Sequence, residues 1–404
     1  MNRSISFCAA MLVLLAAGSL AAAKSPTVII KVEGAGLKPH LDGKSPFRGQ
    51  RPTVDVALLL DTSNSMDGLI HQAKSQLWTI VQQFATAKKH GRTPLLRVAL
   101  FEYGNLNLPA SEGYIRQVVP LSDDLDKLSE ALFALTTNGG DEYCGQVIDR
   151  AVKSLDWSKE PNGYKAIFIA GNEPFTQGPV DYKTACKLAI ERGIVVNTIH
   201  CGNSEEGRRG MWQDGAKLAE GESFNIDQDR AVVQIKCPQD EIIIRLNTEL
   251  NQTYLWYGAA NERRDYSENQ VAQDANAGGL GGGVLAARAA AKATSGYSNR
   301  NRDLVDTLRE DKDILRKVKS AELPELLQKM PAEQHEAYVK DMAAKRASIQ
   351  QKIAALSTER EAYLAAERQR LADESGDATL GDAVVMAIQK QLADSGFEQA
   401  TPVE

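Results

Sequence analysis

From Val54 to about Gly258 the chain alternates short apolar runs with helical patterns, and this alternation narrows the fold more than anything else in the sequence. Residues 54–60 are almost continuously apolar, as expected of a strand buried on both faces. A helix follows from about Met66. Its apolar residues Leu69, Ala73, Leu77, Ile80 and Phe84 recur at three and four positions, and Gly91 closes it. Further strands are expected at 95–103, 114–119, 164–170, 194–200 and 223–227. Helices are expected at 125–135, 142–155, 181–192 and 209–219, with a last one marked by Ile243, Leu246, Leu250 and Tyr254. Strands and helices in alternation imply a mainly parallel sheet covered on both faces. Binding sites in such sheets form beyond the carboxyl ends of the strands. The chemistry of this chain is therefore expected in the loops after Leu60, Ala170 and His200.

The first of those loops reads Asp61-Thr62-Ser63-Asn64-Ser65. It leaves a buried strand and opens a helix, a place where side chains and free backbone N–H groups gather at one sheet edge. Residues 61, 63 and 65 can turn one carboxylate and two hydroxyls toward a single point. These are hard oxygen ligands, suited to Mg²⁺ or Mn²⁺ rather than to zinc or copper. Mg²⁺ takes about six oxygens and commonly keeps several waters, so three protein ligands leave positions open. The simpler reading is that Asp61 or Ser63 caps the first helix.

Residues 58–66, LLLDTSNSM, resemble the metal-ion-dependent adhesion site of von Willebrand factor A domains, and the resemblance extends over about residues 52–257. It implies an α/β, Rossmann-like fold with a mostly parallel six-stranded sheet flanked by helices, and 114–119 as its one antiparallel edge strand. It also implies a non-enzymatic binding role, in which an acidic residue of a partner protein completes the shell of a divalent cation. In the family a Thr from a second loop and an Asp from a third join the first motif. This sequence departs from both. Its second loop is Thr136-Thr137-Asn138-Gly139-Gly140-Asp141-Glu142, with Asp141 where the Thr normally stands and Thr137 just upstream. Its third is Ala170-Gly171-Asn172-Glu173-Pro174, with Gly171 in place of the Asp and Asn172 or Glu173 beside it. Counting charge, Asp141 restores the second carboxylate that Gly171 removes. The expected ligands are thus Asp61, Ser63, Ser65 and Asp141. The competing reading is a degraded site in a metal-independent scaffold of the cell envelope.

The rest of the chain is read more coarsely. Arg3, the apolar run 7–20 and Ala21-Ala22-Ala23 fit a signal peptide over 1–23, which implies export to a periplasm or the medium. A Gly-, Pro- and Lys-rich connector follows over 24–50, then the 51–258 domain. No other segment is apolar enough to span a bilayer. A net charge of −6 without a basic stripe gives no reason to expect nucleic acid. Beyond the leader stand Cys144, Cys186, Cys201 and Cys237, an even number that suggests one disulfide in an oxidising compartment with its pairing open, although Cys144 and Cys186 also share apolar helical faces. His200-Cys201 lacks an orienting partner for nucleophilic catalysis. Phe175, Tyr182 and Trp212 could rim the metal face or simply pack.

Residues 259–300, with GGLGGG at 278–283, read as a Gly/Ala-rich linker. Residues 301–404 read as a charged helical region. Met342, Ile349, Leu356 and Tyr363 fall seven apart, while the seam three residues earlier, Val339, Arg346, Ile353 and Arg360, is apolar only at alternate heptads. A helical hairpin with coiled-coil-like stripes is therefore expected, serving as a solvated appendage or a self-association module.

Overall fold

The computed structural model describes residues 51–160, 163–227, 235–372 and 380–399. The leader and connector expected over 1–50 lie outside the described residues. The strands are β1 (Thr53–Asp61), β2 (Ala87–Lys88), β3 (Leu95–Tyr103), β4 (Ile115–Ser122), β5 (Tyr164–Gly171), β6 (Val195–Cys201), β7 (Ser223–Ile226) and β8 (Glu398–Gln399). Six form one sheet in the order β4-β3-β1-β5-β6-β7. All its pairs are parallel except β3 with β4, so the antiparallel edge lies where it is expected. Pro120 sits in that edge strand, where the lost N–H need not serve a central ladder.

The central strand β1 shows why its run is continuously apolar. Alternate side chains point to opposite faces: Val54, Val56, Leu58 and Leu60 enter one core, Ala57 and Leu59 the other. The second core is closed by α3 (Cys144–Ser154), α4 (Tyr182–Glu191) and α6 (Trp212–Leu218). The first is closed by α1 (Asp67–Thr86), α2 (Leu125–Phe133) and α7 (Asp240–Asn251). The short α5 (Ser204–Arg209) precedes α6.

Two expectations for the C-terminal residues are corrected. Residues 259–300 are not a linker but contain α8 (Ala260–Leu280) and α9 (Gly282–Lys292). Only Gly281, at φ 132°, breaks the helix between them. The alanines that looked like low complexity are strong helix formers. In α9, Ala286, Ala287, Ala289, Ala290 and Ala291 are all buried, their small size letting the helix lie close against α1 and α7. Arg288 and Lys292 are fully buried with them. Arg288 donates to Asp126 at 2.8 Å and Asp274 at 2.5 Å, and its guanidinium lies 4.5 Å from the Trp78 ring centroid.

Residues 301–404 are likewise no separate appendage. They contain α10 (Leu304–Glu310), α11 (Ile314–Lys317), α12 (Glu325–Gln328), the long α13 (Ala332–Ala372) and α14 (Leu380–Asp394). The seam Val339, Arg346, Ile353 and Arg360, broken by arginines in the sequence, is the buried face of α13. Its arginines find carboxylates on the rest of the chain, Arg346 at Asp303 and Asp306 and Arg360 at Asp240. The stripe of α10 does meet α13, but α13 runs on across α7 and α9 rather than forming a free hairpin. Helix α14 packs on α1, and β8 pairs antiparallel with β2. The described residues from 51 onward form one compact unit.

The expected disulfide is also absent: Cys144, Cys186, Cys201 and Cys237 are each buried and unpaired. Burial pushes the thiols of Cys144 and Cys201 well up and that of Cys186 to about 12, which suits packing rather than nucleophilic chemistry. Among the described residues no helix is long and apolar enough to cross a membrane.

Candidate metal site

Asp61 is the last residue of the central strand, and its side chain is wholly buried. Its Oδ1 accepts the Ser63 backbone N–H at 2.7 Å, which folds the loop back toward the strand end. A single 3₁₀ turn, Asn64–Met66, then leads into α1. Ser63 and Ser65 come together, their Oγ atoms 3.3 Å apart, with Ser63 buried and Ser65 exposed. The three motif oxygens thus line a path from the buried strand end to the surface.

The second carboxylate comes from Glu142, not from Asp141. Asp141 is exposed and accepts the Tyr143 hydroxyl at 3.0 Å. Its neighbour Glu142 turns inward, is 5 % exposed, and lies beside Asp61. Its backbone N–H donates to Gln177 Oε1 at 2.7 Å, tying the second loop to the third. Two adjacent acids just ahead of α3 differ in direction by the turn of one residue, and charge counting could not choose between them. Thr137 faces elsewhere, donating to Asp67.

The third loop supplies Asn172. With its amide nitrogen turned inward, it donates to Asp61 Oδ2 and Glu142 Oε2, both at 3.2 Å. Gly171, which replaces the Asp usual in the family that the motif resembles, is dictated by space. A Cβ there would lie 2.4 Å from the Tyr103 hydroxyl and 3.1 Å from Asp61 Oδ2. Tyr103 in turn is held by the Ala170 carbonyl at 3.0 Å. Gly104, at φ +79°, leaves the room that Glu142 and Asp61 use, since a Cβ there would meet Glu142 Cγ at 2.7 Å and Asp61 Oδ1 at 2.8 Å. Phe175, Tyr182 and Trp212 are buried and stacked edge to face, so they pack beneath the loops rather than rim them. His200 is spent on Asn225 at 2.7 Å.

Two carboxylates are therefore buried side by side, and among the described residues no Lys or Arg pairs with either. Burial, relieved only in part by Glu142 and Ser63, raises the Asp61 carboxyl. Burial first, and the bond to Asp61 second, push Glu142 to about 10. A pair of this kind holds a proton at neutral pH unless a cation takes its place. Among the described residues no three His, Cys, Asp or Glu side chains surround one point. What is assembled is an all-oxygen set, Asp61, Glu142, Ser63 and Ser65, and this set fits a hard divalent cation.

The raised Glu142 fixes a sign. A carboxyl whose folded pKa exceeds its unfolded value adds stability at low pH that is lost as pH rises through the folded pKa. In chelator, the stability of the protein should therefore fall between pH 5 and pH 9, and Glu142→Gln should flatten that fall. Urea unfolding at the two pH values checks this; an unchanged slope in the variant would show that the two acids are not coupled.

Residues 55–231 match the family model described as von Willebrand factor type A domain. No curated protein matches the sequence. Among solved structures, proximal thread matrix protein 1 from the mussel byssus, whose description gives a zinc-occupied MIDAS motif, is 15% identical with a TM-score of 0.35. The match covers 45% of this chain and 43% of that one, so this chain spans less than half of the mussel protein. A von Willebrand factor type A structure from Catenulispora acidiphila is 19% identical, covering 44% and 39%, with a TM-score of 0.33. The conserved hypothetical protein BatB from Bacteroides thetaiotaomicron is 16% identical, covering 55% and 98%, with a TM-score of 0.33.

Proposed function

Residues 55–231 of this chain are a von Willebrand factor type A domain, and from that premise we propose that the protein is an exported, non-enzymatic binding protein that captures an acidic side chain of a partner protein through a divalent cation. Asp61, Glu142, Ser63 and Ser65 would hold the ion, Mg²⁺ or Mn²⁺. The observation that carries this reading is the buried Asp61–Glu142 pair, which has hydroxyls on its surface side and no basic partner among the described residues. Burying two carboxylates together is costly unless a positive charge neutralises them. When bound, the cation supplies that charge and an open position for an anionic oxygen. Ser65, the exposed member, marks the side from which a partner approaches. Export rests on residues 1–23, and the non-enzymatic role on reading the domain as a binding module.

Titration calorimetry of Mg²⁺ and Mn²⁺ into the full chain tests the site. Asp61→Asn should weaken metal binding by at least about 100-fold, more than loss of a group that merely orients a ligand. Equal affinity in the variant would remove the site. Binding of an Asp-containing peptide to the metal-loaded protein should vanish in chelator; peptide binding that survives would leave only the scaffold reading.

A further inference from the structure

Two of the large apolar side chains that the fold leaves in solvent stand in loops at the carboxyl end of the sheet, where the metal loop opens. Leu106 is 57% exposed and Met211 40%. A lone exposed leucine is ordinary on a protein surface. What sets these two apart is where they stand and how firmly the backbone holds them out.

Leu106 follows β3, the neighbour of β1 on one side. Its N–H donates to the Gly139 carbonyl at 3.0 Å, which fastens it to the second loop. The buried Asn105 beside it donates to the Thr136 carbonyl at 2.9 Å and the Thr62 carbonyl at 3.4 Å, and accepts the Asn107 N–H at 3.0 Å. One side chain thus ties this loop to both the second loop and the metal motif. A Cβ on Gly139 would lie 3.4 Å from Asn64 Nδ2 and 4.0 Å from Leu106 Cδ1. The leucine therefore stands over the same backbone as Asn64, the residue between Ser63 and Ser65.

Met211 lies on the other side. The Gly210 carbonyl before it accepts the Phe175 N–H at 2.8 Å, and Trp212 Nε1 after it donates to the Glu173 carbonyl at 2.9 Å, so it is clamped to the third loop. Its φ is 67°, in the left-handed region. Glycine takes that conformation freely and an L side chain does not. The position holds instead a pliable apolar side chain, of the kind that adapts to a contact surface. Asp141 on the second loop and Glu173 on the third add negative charge around the site, which repels a segment carrying several acids.

We propose that this face receives an extended segment of the partner in which one acidic residue is flanked, two positions before and two after, by large apolar residues. The inference rests on the metal-mediated capture proposed above and names what surrounds the captured acid. Alternate side chains of an extended segment point the same way, about 6.7 Å apart, so residues at even spacing meet the face when the acid does. With strands ~4.8 Å apart, Leu106 beyond β3 and Met211 beyond β6 lie on opposite sides of Asp61 on β1.

Calorimetry of the Mn²⁺-loaded full chain tests this with two synthetic peptides. One carries leucine two residues before and two after a single aspartate; the other has serine at both places. The leucine peptide should bind at least about tenfold more tightly, and only with the metal present. In Leu106→Ser/Met211→Ser the two peptides should bind alike, while Mn²⁺ affinity and melting temperature stay unchanged. Equal binding of both peptides to the unaltered protein overturns the inference and leaves metal-mediated capture standing. So does a leucine preference that the double variant keeps. A leucine preference that persists in chelator overturns it as well, since the contact then lies away from the cation. Failure of both peptides on protein that has bound Mn²⁺ removes the capture itself, and this inference with it.

Discussion

A chain ended at Gly258 should fail to give a cooperatively folded domain, although it contains the whole family match. The reason is the core shared by α1 with the later helices. Val384, Ile388, Leu392 and Phe397 are buried in the same cluster as Trp78, Phe84 and Tyr164. At about 1.5–3 kcal/mol for each buried apolar side chain, these four alone approach the whole stability of a typical domain, about 5–15 kcal/mol. Polar groups would be stranded too. Gln391 of α14 accepts the Tyr164 hydroxyl at 2.6 Å and exchanges hydrogen bonds with Asn197 at 2.6 and 3.0 Å, all in the buried interior. Without α14, Tyr164 and Asn197 lose these partners. Thermal melts followed by near-ultraviolet circular dichroism should show one cooperative transition in the full chain and none in the truncated one. A sharp transition in the fragment, with its metal affinity intact, would show that the later helices are dispensable after all.

That interdependence was hidden in the sequence for physical reasons. Strands and helices up to Tyr254 are legible because burial on both sheet faces forces runs such as 54–60, and burial on one forces the spacing of Leu69, Ala73, Leu77 and Ile80. Beyond that point the same rules mislead. Helix α9 buries alanines, whose small side chains leave little hydrophobic pattern to read, and it buries Arg288 and Lys292, which pattern analysis assigns to solvent. The face of α13 fails as a heptad seam for the same reason, since Arg346 and Arg360 are interior only because distant acids meet them. The metal loop divides in the same way. Asp61, Ser63 and Ser65 are close in sequence and sit on a recognisable strand end. The choice of Glu142 over Asp141 depends on which way one residue turns. The glycine at 171 depends on a tyrosine hydroxyl 68 positions earlier, a relation that only the folded register of β1 with both β3 and β5 reveals.

Arg346 offers the sharpest single-residue test of how the helical region is held. All five of its N–H donors are used: Nε on Thr253 Oγ1 at 3.0 Å, Nη1 on Asp303 at 2.7 Å and Asp306 at 3.0 Å, and Nη2 on the Thr253 carbonyl at 2.7 Å and Asp303 at 3.1 Å. The guanidinium also lies 4.1 Å from the Tyr254 ring centroid. Asp303 meanwhile caps α10 through the Asp306 N–H and accepts the Leu255 N–H at 2.6 Å, so it cannot swing away to solvent. Arg346→Met keeps most of the volume but leaves Asp303 without a cation and Asp306 with only the half-exposed Arg309, 3.6 Å away. Removing one partner of such a cluster costs about 3–5 kcal/mol, and urea unfolding of the full chain at pH 7 should show a loss of that size. Burial, with Asp303 next, already raises the Asp306 carboxyl even with Arg346 present. In the variant Asp306 would be pushed further up and would take a proton as pH falls. The loss should therefore be smaller at pH 5 than at pH 8, because a raised carboxyl favours the folded state at low pH. Arg346→Lys should fall between the two, since an ammonium keeps the charge but cannot reproduce the five-point fork. A loss in Arg346→Met under about 1 kcal/mol, the level of an exposed pair, or one independent of pH, would mean that apolar contacts along Val339 and Ile353 hold α13 and that the buried arginine only tolerates its site.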